Sequence, residues 1–371
     1  MKQFIVKSKQ KQDYVILGCV AFLILFGLLM LASASLNFGK DKLDDNYFYI
    51  RHQFLYGVLL GVIFFLITSR LYYGVYEHLA MPLLALAIIL LALVYTPLGV
   101  RAGGALRWLT IGPFTFQPAE FLKLATVIYF AAWLSHDRER QNNFWRGFVP
   151  FILVLGIIGA FLLSQSSTSM FAIIMLTALI VYFVSGAKLS YLFGTAILGI
   201  VLILGVSILS PYRWNRIMAY VNPETNLQSS GYHINQALMA IGTGGFKGVG
   251  YGQSTTKVGY LPEPIGDSIF AVIAEEFGFL GSLIVIFSFV ILVTRIFILS
   301  LHTEHKFGQL LLVGFGSILG IQAFVNIAAI SGLIPLTGIP LPFISYGSTG
   351  MIVMLGMLGI TMNISSYSRN V

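Results

Sequence analysis

The sequence predicts an all-α polytopic membrane protein of about ten transmembrane helices, with one long external loop between spans seven and eight. Three observations predict it. The chain is 57% hydrophobic and only 10% charged, whereas a soluble domain carries about 25% charged residues and needs them to cover its surface. Apolar stretches of roughly 20 residues, the length that crosses a hydrocarbon core, recur along the whole chain. Lipid offers the backbone no hydrogen-bond partners, so each such stretch must be helical. A mean hydropathy of +0.86 agrees. Length alone would suggest more than one domain, but one helical bundle over 1–371 accounts better for the composition.

The spans are expected near 14–34, 53–69, 78–96, 117–134, 147–164, 169–185, 189–210, 268–299, 308–331 and 346–364. Lys2, Lys7, Lys9 and Lys11 precede the first, so the 1–13 tail is expected in the cytoplasm. Ten spans then return the C-terminus to the same side. No other long basic run exists, so the net charge of +8 does not point to nucleic acid. The inside bias of Lys and Arg is weak, which leaves many positive residues outside. Lysines, an apolar run and Ala32-Ser33-Ala34 resemble a signal peptide with its cleavage site. The run is long and more spans follow, so a retained first helix is expected. The single cysteine, Cys19, allows no disulfide framework and leaves the compartment unread.

Most connections are short. The 35–52 loop is polar and mixed in sign (Lys40, Asp41, Lys42, Asp44, Asp45, Arg51) and falls outside; the 135–146 loop falls inside. The exception is 211–267, external by topology, and loops of that length without function or substructure are uncommon. Residues 229–241 could form a short helix ended by Gly244-Gly245, because glycine tolerates the left-handed cap. No internal repeat is evident, which weakens the case for an inverted-repeat transporter.

Three clusters carry candidate chemistry. In the first, Arg101 and Arg107-Trp108 lead to Gln117-Pro118-Ala119-Glu120 and Lys123. Pro118 suits the first turn of a helix, and Glu120 and Lys123, three apart, share a face. One reading is an ion pair that holds helices together. The other is an anion site, with Arg107 and Lys123 as donors and Glu120 orienting them. In the second cluster, Asp267 lies where the long loop enters a span, as a helix cap or as a catalytic base. Burial would raise its pKa and positive neighbours would lower it. Glu275 and Glu276 lie two to three turns deeper and are expected to be structural. The third feature, Pro335 with Gly338-Ile339-Pro340-Leu341-Pro342-Phe343-Ile344-Ser345-Tyr346-Gly347, cannot continue a helix and predicts a rigid external turn before the last span. There is no G-x-S-x-G, HExxH, Walker A or CxxC, and the six histidines show no ligand spacing within one helix. ATP-driven transport and zinc chemistry are therefore disfavoured.

Taken together, Gly104-Ala105-Leu106-Arg107-Trp108 with Gln117-Pro118-Ala119-Glu120-Phe121-Leu122-Lys123, the run from Tyr260-Leu261-Pro262-Glu263-Pro264 through Asp267 to Glu275-Glu276-Phe277-Gly278, and the proline-rich signature resemble the SEDS family (shape, elongation, division and sporulation), which includes FtsW, RodA and SpoVE. The resemblance covers essentially the whole chain. Gly250-Tyr251-Gly252-Gln253-Ser254-Thr255-Thr256-Lys257 leans toward FtsW and SpoVE. It implies a peptidoglycan glycosyltransferase in the bacterial cytoplasmic membrane that polymerises lipid II at the outer face, with inversion and release of undecaprenyl diphosphate. Asp267 would be the general base. Arg107 and Lys123, with Arg51, Arg101, Arg213, Arg216, Lys247 and Lys257 as looser candidates, would meet the diphosphate. A divalent cation, Mg or Mn, could assist, and no organic cofactor is implied. Glu263 and Ser345 have no assigned role. Implied partners are a class B penicillin-binding transpeptidase and other division or elongation proteins. The chain departs from the family where it reads Gly266-Asp267-Ser268 for Thr-Asp-Phe, Gln165-Ser166-Ser167-Thr168-Ser169 for Pro-Asp-Leu-Gly-Thr, and Tyr346-Gly347-Ser348 for Tyr-Gly-Gly. Two other readings fit the residues: a lipid flippase, with Glu120, Lys123, Glu275 and Glu276 lining a route, and a non-catalytic scaffold, with Asp267 as a cap.

Overall fold

The computed structural model describes residues 13–43, 45, 47–102, 105–112, 114–136, 140–221 and 230–368. The tail lysines, Asp44, Gly104 and the charged centre of the 135–146 loop lie outside the described residues. Twelve helices are described: α1 (Tyr14–Leu43), α2 (Phe48–Arg70), α3 (Gly74–Leu93), α4 (Pro118–Ser135), α5 (Phe144–Ser164), α6 (Thr168–Ser185), α7 (Leu189–Ile208), α8 (Pro211–Val221), α9 (Ser230–Gly244), α10 (Ile269–Leu301), α11 (Lys306–Ile330) and α12 (Ser348–Ser365).

Nine of them are long and apolar enough to cross a membrane. The tenth expected span, 117–134, exists as α4 but does not reach that measure, because Glu120 and Lys123 occupy its first turns. Fourteen of its 18 residues are buried, so protein rather than lipid surrounds those charges. α4, α6, α11 and α12 form the centre of the bundle, and α12 also lies along α2. In α12 83% of the span is buried; in α7 it is 17%, and Phe193, Ile197 and Val201 face outward. That outward face is what a lipid-facing helix presents.

Two features escaped the sequence reading. Residues 99–116, expected only to lead into a helix, form a three-stranded antiparallel sheet of β1 (Gly99–Ala102), β2 (Ala105–Ile111) and β3 (Phe114–Phe116). The 211–267 loop opens with the helix α8, whose signal was present: Trp214, Ile217, Met218 and Val221 recur at i, i+3, i+4 and i+7. The helix expected over 229–241 is α9, and Gly245 follows it at φ +52°.

α10 is broken. Gly278 sits at φ +66°, ψ −160°, and a break inside a bundle leaves backbone groups that need partners. Residues 245–250 cross the helix at this point and supply them. Val249 N donates to Glu275 O at 2.9 Å and Gly250 N to Glu276 O at 3.0 Å, while Gly245 O accepts from Phe279 N at 2.9 Å. The crossing is so close that a Cβ on Gly278 would lie 2.4 Å from Gly248 N and 2.7 Å from Phe246 O.

Gly278→Ala therefore combines a disfavoured φ with a backbone clash. It should destabilise the protein by about 1–3 kcal/mol or more and lower the thermal unfolding midpoint in detergent. An unchanged midpoint would show that the crossing is dispensable.

Candidate active site

The last residues of the long loop, 260–268, lie against α8, α9, α11 and the proline-rich turn. Their backbone is pinned from two sides. Asn326, buried on α11, donates from one Nδ2 to Asp267 O at 2.8 Å and to Ile339 O at 2.7 Å. Ser345 donates to Gly266 O at 2.7 Å while accepting from Leu341 N at 2.7 Å, and Tyr346 N donates to Ile265 O at 2.9 Å. Ser345, which had no assigned role, is thus placed to hold the proline-rich turn and the Asp267 segment together.

Asp267 stands one residue outside α10. The N-cap is Ser268, and neither side chain caps the helix, so the cap that the scaffold reading required is not made. Asp267 Oδ1 has no hydrogen-bond partner among the described residues. The residue keeps part of its surface open, yet the protein around it raises its pKa to about 6. Burial is the largest cause, and the like charge of Glu263 adds to it. The Arg216 guanidinium and the backbone N–H groups of Asp267 and Ser268 pull the other way. Gly338, at φ +68°, adjoins both Arg216 and Asp267: a Cβ there would lie in ordinary contact, 3.7 Å from Arg216 Nη1 and 3.8 Å from Asp267 Oδ2. Glu263 is exposed, at φ +47°. On the α9 side, His233 Nε2 and Ser268 Oγ are hydrogen-bonded at 2.6 Å.

Arg216 on α8 is therefore the cation beside Asp267. Arg213, three residues earlier and named with it as a candidate from sequence, is buried, and its Nη2 donates to Leu163 O at 2.6 Å. The sequence offered no means to choose between them, because the choice depends on which face of α8 meets Gly338.

The other expected site residues lie elsewhere. Arg107 is the bulged residue of the sheet, where the register passes from Val100↔Trp108 to Arg101↔Leu106. A bulge re-aims its side chain, and here the guanidinium donates to Gln165 O at 3.1 Å and to Ser166 O. Lys123 is fully enclosed, paired with Glu120 Oε2 at 2.8 Å and donating to Gln322 Oε1 at 2.6 Å. Gln322 in turn donates to Pro340 O at 3.0 Å. Of the two readings of this pair, the structure places it as a tie between α4, α11 and the proline-rich turn, out of reach of an external ligand. Arg51 pairs with Asp45 at the start of α2, and Arg101 and Lys247 are exposed on β1 and after α9.

Lys257, another expected cation, is buried and donates to Glu276 Oε1 at 2.6 Å, Ser33 Oγ at 2.7 Å and Gly252 O at 3.0 Å. Glu275 accepts from Thr255 N at 3.1 Å, Thr256 N at 3.4 Å and the hydroxyls of Ser254, Thr255 and Thr256. The flippase reading expected Glu120, Lys123, Glu275 and Glu276 to line a route. Instead, each is enclosed and bonded to protein.

A family model for the FtsW, RodA and SpoVE cell cycle proteins matches residues 13–370. A probable peptidoglycan glycosyltransferase FtsW of Geobacter sp. (strain M18) is 36% identical over 361 residues, 96% of this chain and 97% of its own length. Stage V sporulation protein E of Bacillus subtilis (strain 168) is 36% identical over 366 residues, 98% of this chain and 99% of its own. Among solved structures, a chain of a peptidoglycan synthase complex described as coordinating polymerization and crosslinking superposes with a TM-score of 0.79 at 25% identity, over 95% of this chain and 97% of that one. The rod shape determining protein RodA of Thermus thermophilus superposes with a TM-score of 0.71 over 96% of this chain and 98% of its own; at 24% identity the likeness is one of fold.

Removing one partner of a buried ion pair strands the other, at about 3–5 kcal/mol. Glu276→Ala should therefore lower the thermal midpoint sharply by stranding Lys257. The double variant Glu276→Ala/Lys257→Met should recover part of the loss. Equal midpoints for Glu276→Ala and wild type would mean that the pair does not hold this region.

Proposed function

The chain belongs to the FtsW/RodA/SpoVE family of cell cycle proteins, and on that premise we propose that it is a peptidoglycan glycosyltransferase that polymerises lipid II at the outer face of the bacterial cytoplasmic membrane, with both termini in the cytoplasm. The observation that carries the assignment of chemistry is the Asp267 carboxylate: unpartnered at Oδ1 and raised to about 6. A base of that strength is mostly ionised at neutral pH yet is a better proton acceptor than an ordinary aspartate.

In the reaction, Asp267 takes the proton from the acceptor sugar hydroxyl as that oxygen attacks the anomeric carbon of the donor. The bond to the undecaprenyl diphosphate breaks, and its electron pair leaves with the diphosphate. A fixed cation near the developing charge lowers the barrier, and Arg216 is the one beside Asp267. Among the described residues, the side chains beside Asp267 do not gather three metal-ligating groups. Asp267 and Glu263 come together, Arg216 lies beside Asp267, and no group of three His, Cys, Asp or Glu occurs among the described residues. We therefore assign charge stabilisation to Arg216 and derive no step from a metal. A class B penicillin-binding transpeptidase is the proposed partner. The likeness to a chain of a synthase complex that coordinates polymerization with crosslinking supports it.

With purified protein and lipid II, Asp267→Asn should cut the polymerisation rate by about 10² to 10⁴, as loss of a general base does, with an unchanged thermal midpoint. In the wild type the rate should fall as pH drops through about 6, because protonated Asp267 cannot accept a proton. Polymerisation at the wild-type rate by the folded variant would sink the assignment.

A further inference from the structure

We propose that His233 is a positioning residue for Asp267: through its hydrogen bond to Ser268 Oγ it fixes the residue next to the base and so sets where the carboxylate stands. The proposal rests on the glycosyltransferase reading for its meaning, though not for its geometry.

Ser268 occupies the N-cap of α10, where a serine hydroxyl ordinarily accepts a backbone N–H of its own helix. It makes no such bond. Its hydroxyl is committed across the interface to His233 Nε2 at 2.6 Å, and Ser268 is fully buried. The other end of α9 is fastened to α10 by close backbone approach: a Cβ on Gly244 would lie 1.9 Å from Ala274 O. That contact fixes the helices at the depth of Glu275, two turns away from the base. At the level of Asp267 the bond described between α9 and α10 is His233–Ser268.

The backbone of Asp267 is held from the opposite side by Asn326 and Ser345. Those bonds fix the carbonyls of Gly266 and Asp267, and Ser268 N donates to Glu263 O at 3.3 Å within the loop, while the Ser268 hydroxyl is held from the α9 side. His233 supplies that second anchor. Burial and the neighbouring Arg216 charge push its pKa down to about 4, so the ring is neutral wherever Asp267 is ionised. A neutral ring holds Ser268 without adding a second cation beside Arg216. The charged groups facing Asp267 are then Glu263 from its own loop and Arg216 from α8, with neutral His233 behind Ser268.

The test uses the full chain in detergent or nanodiscs and a readout independent of turnover. Carbodiimide modification of the Asp267 carboxyl is followed by mass spectrometry as a function of pH. In the wild type its midpoint should lie near 6. In His233→Phe and Ser268→Ala the loosened turn admits water. Burial is the largest cause of the raised value, so the midpoint should fall by about half a pH unit or more. Lipid II polymerisation should lose about 10-fold in kcat with little change in KM, as when a supporting contact is removed from a catalytic group. His233→Gln, which can still reach Ser268, should restore the midpoint. The double variant His233→Phe/Ser268→Ala should be no worse than the more damaging single one, because both break the same bond.

A merely structural histidine would lower the thermal midpoint and leave the modification midpoint at its wild-type value, and that result in folded Ser268→Ala or His233→Phe overturns the proposal. A moved modification midpoint in a protein that never polymerises lipid II would support the positioning role and count against the glycosyltransferase. A fixed midpoint in an active enzyme would count against the positioning role alone.

Discussion

The break in α10 at Gly278 is the constraint on which the rest of the site depends. A helix interrupted inside a bundle must hand its freed backbone groups to other partners, and residues 245–250 take them. Once that segment is fixed against α10, the chain on either side of it is fixed too. α9 lies along the first part of α10, and residues 254–257 fall within reach of Glu275 and Glu276. A loop that length alone would leave loose becomes a cover with defined attachments.

Buried charge in this protein serves attachment. Glu275 gathers three hydroxyls and two backbone N–H groups of residues 254–256, and such multiple donation compensates a carboxylate for lost water. Glu276 and Lys257 do the same with Ser33, which ties α1 into the arrangement. Glu120, Lys123 and Gln322 tie α4 and α11 to the proline-rich turn. Each of these groups has partners that leave no room for a ligand. Asp267 differs, because it makes no lysine ion pair of that kind, keeps part of its surface open and has one oxygen without a hydrogen-bond partner among the described residues. An unpaired carboxylate oxygen costs stability in a structural role and suits a group that must receive a proton.

The proline-rich turn and the long loop form one site through a few small residues. Gly338 takes a left-handed conformation that disfavours any side chain, and it lies beside both Arg216 and Asp267. Ser345 and Asn326 each bridge two carbonyls or a carbonyl and an N–H across the join. The departure Gly266-Asp267-Ser268 belongs to the same pattern: Ser268 gives its neighbour an anchor on α9 that a hydrocarbon side chain could not form.

The sequence by itself determined the spans, because apolarity over about 20 residues is a property of each stretch alone. It also located Asp267 and the proline-rich turn, whose motifs are contiguous. It placed α4 among the spans but could not show that Glu120 and Lys123 are sealed inside protein, since their neighbours Gln322 and Pro340 lie some 200 residues further on. It missed the bulge that turns Arg107 toward Gln165, and it gave no ground for choosing Arg216 over Arg213. Those choices belong to the tertiary structure for one physical reason. Electrostatic and hydrogen-bond interactions act over a few ångströms of space, so the partners of Asp267 were decided by how α8, α9, α11 and the proline-rich turn pack together, which no single stretch of sequence records.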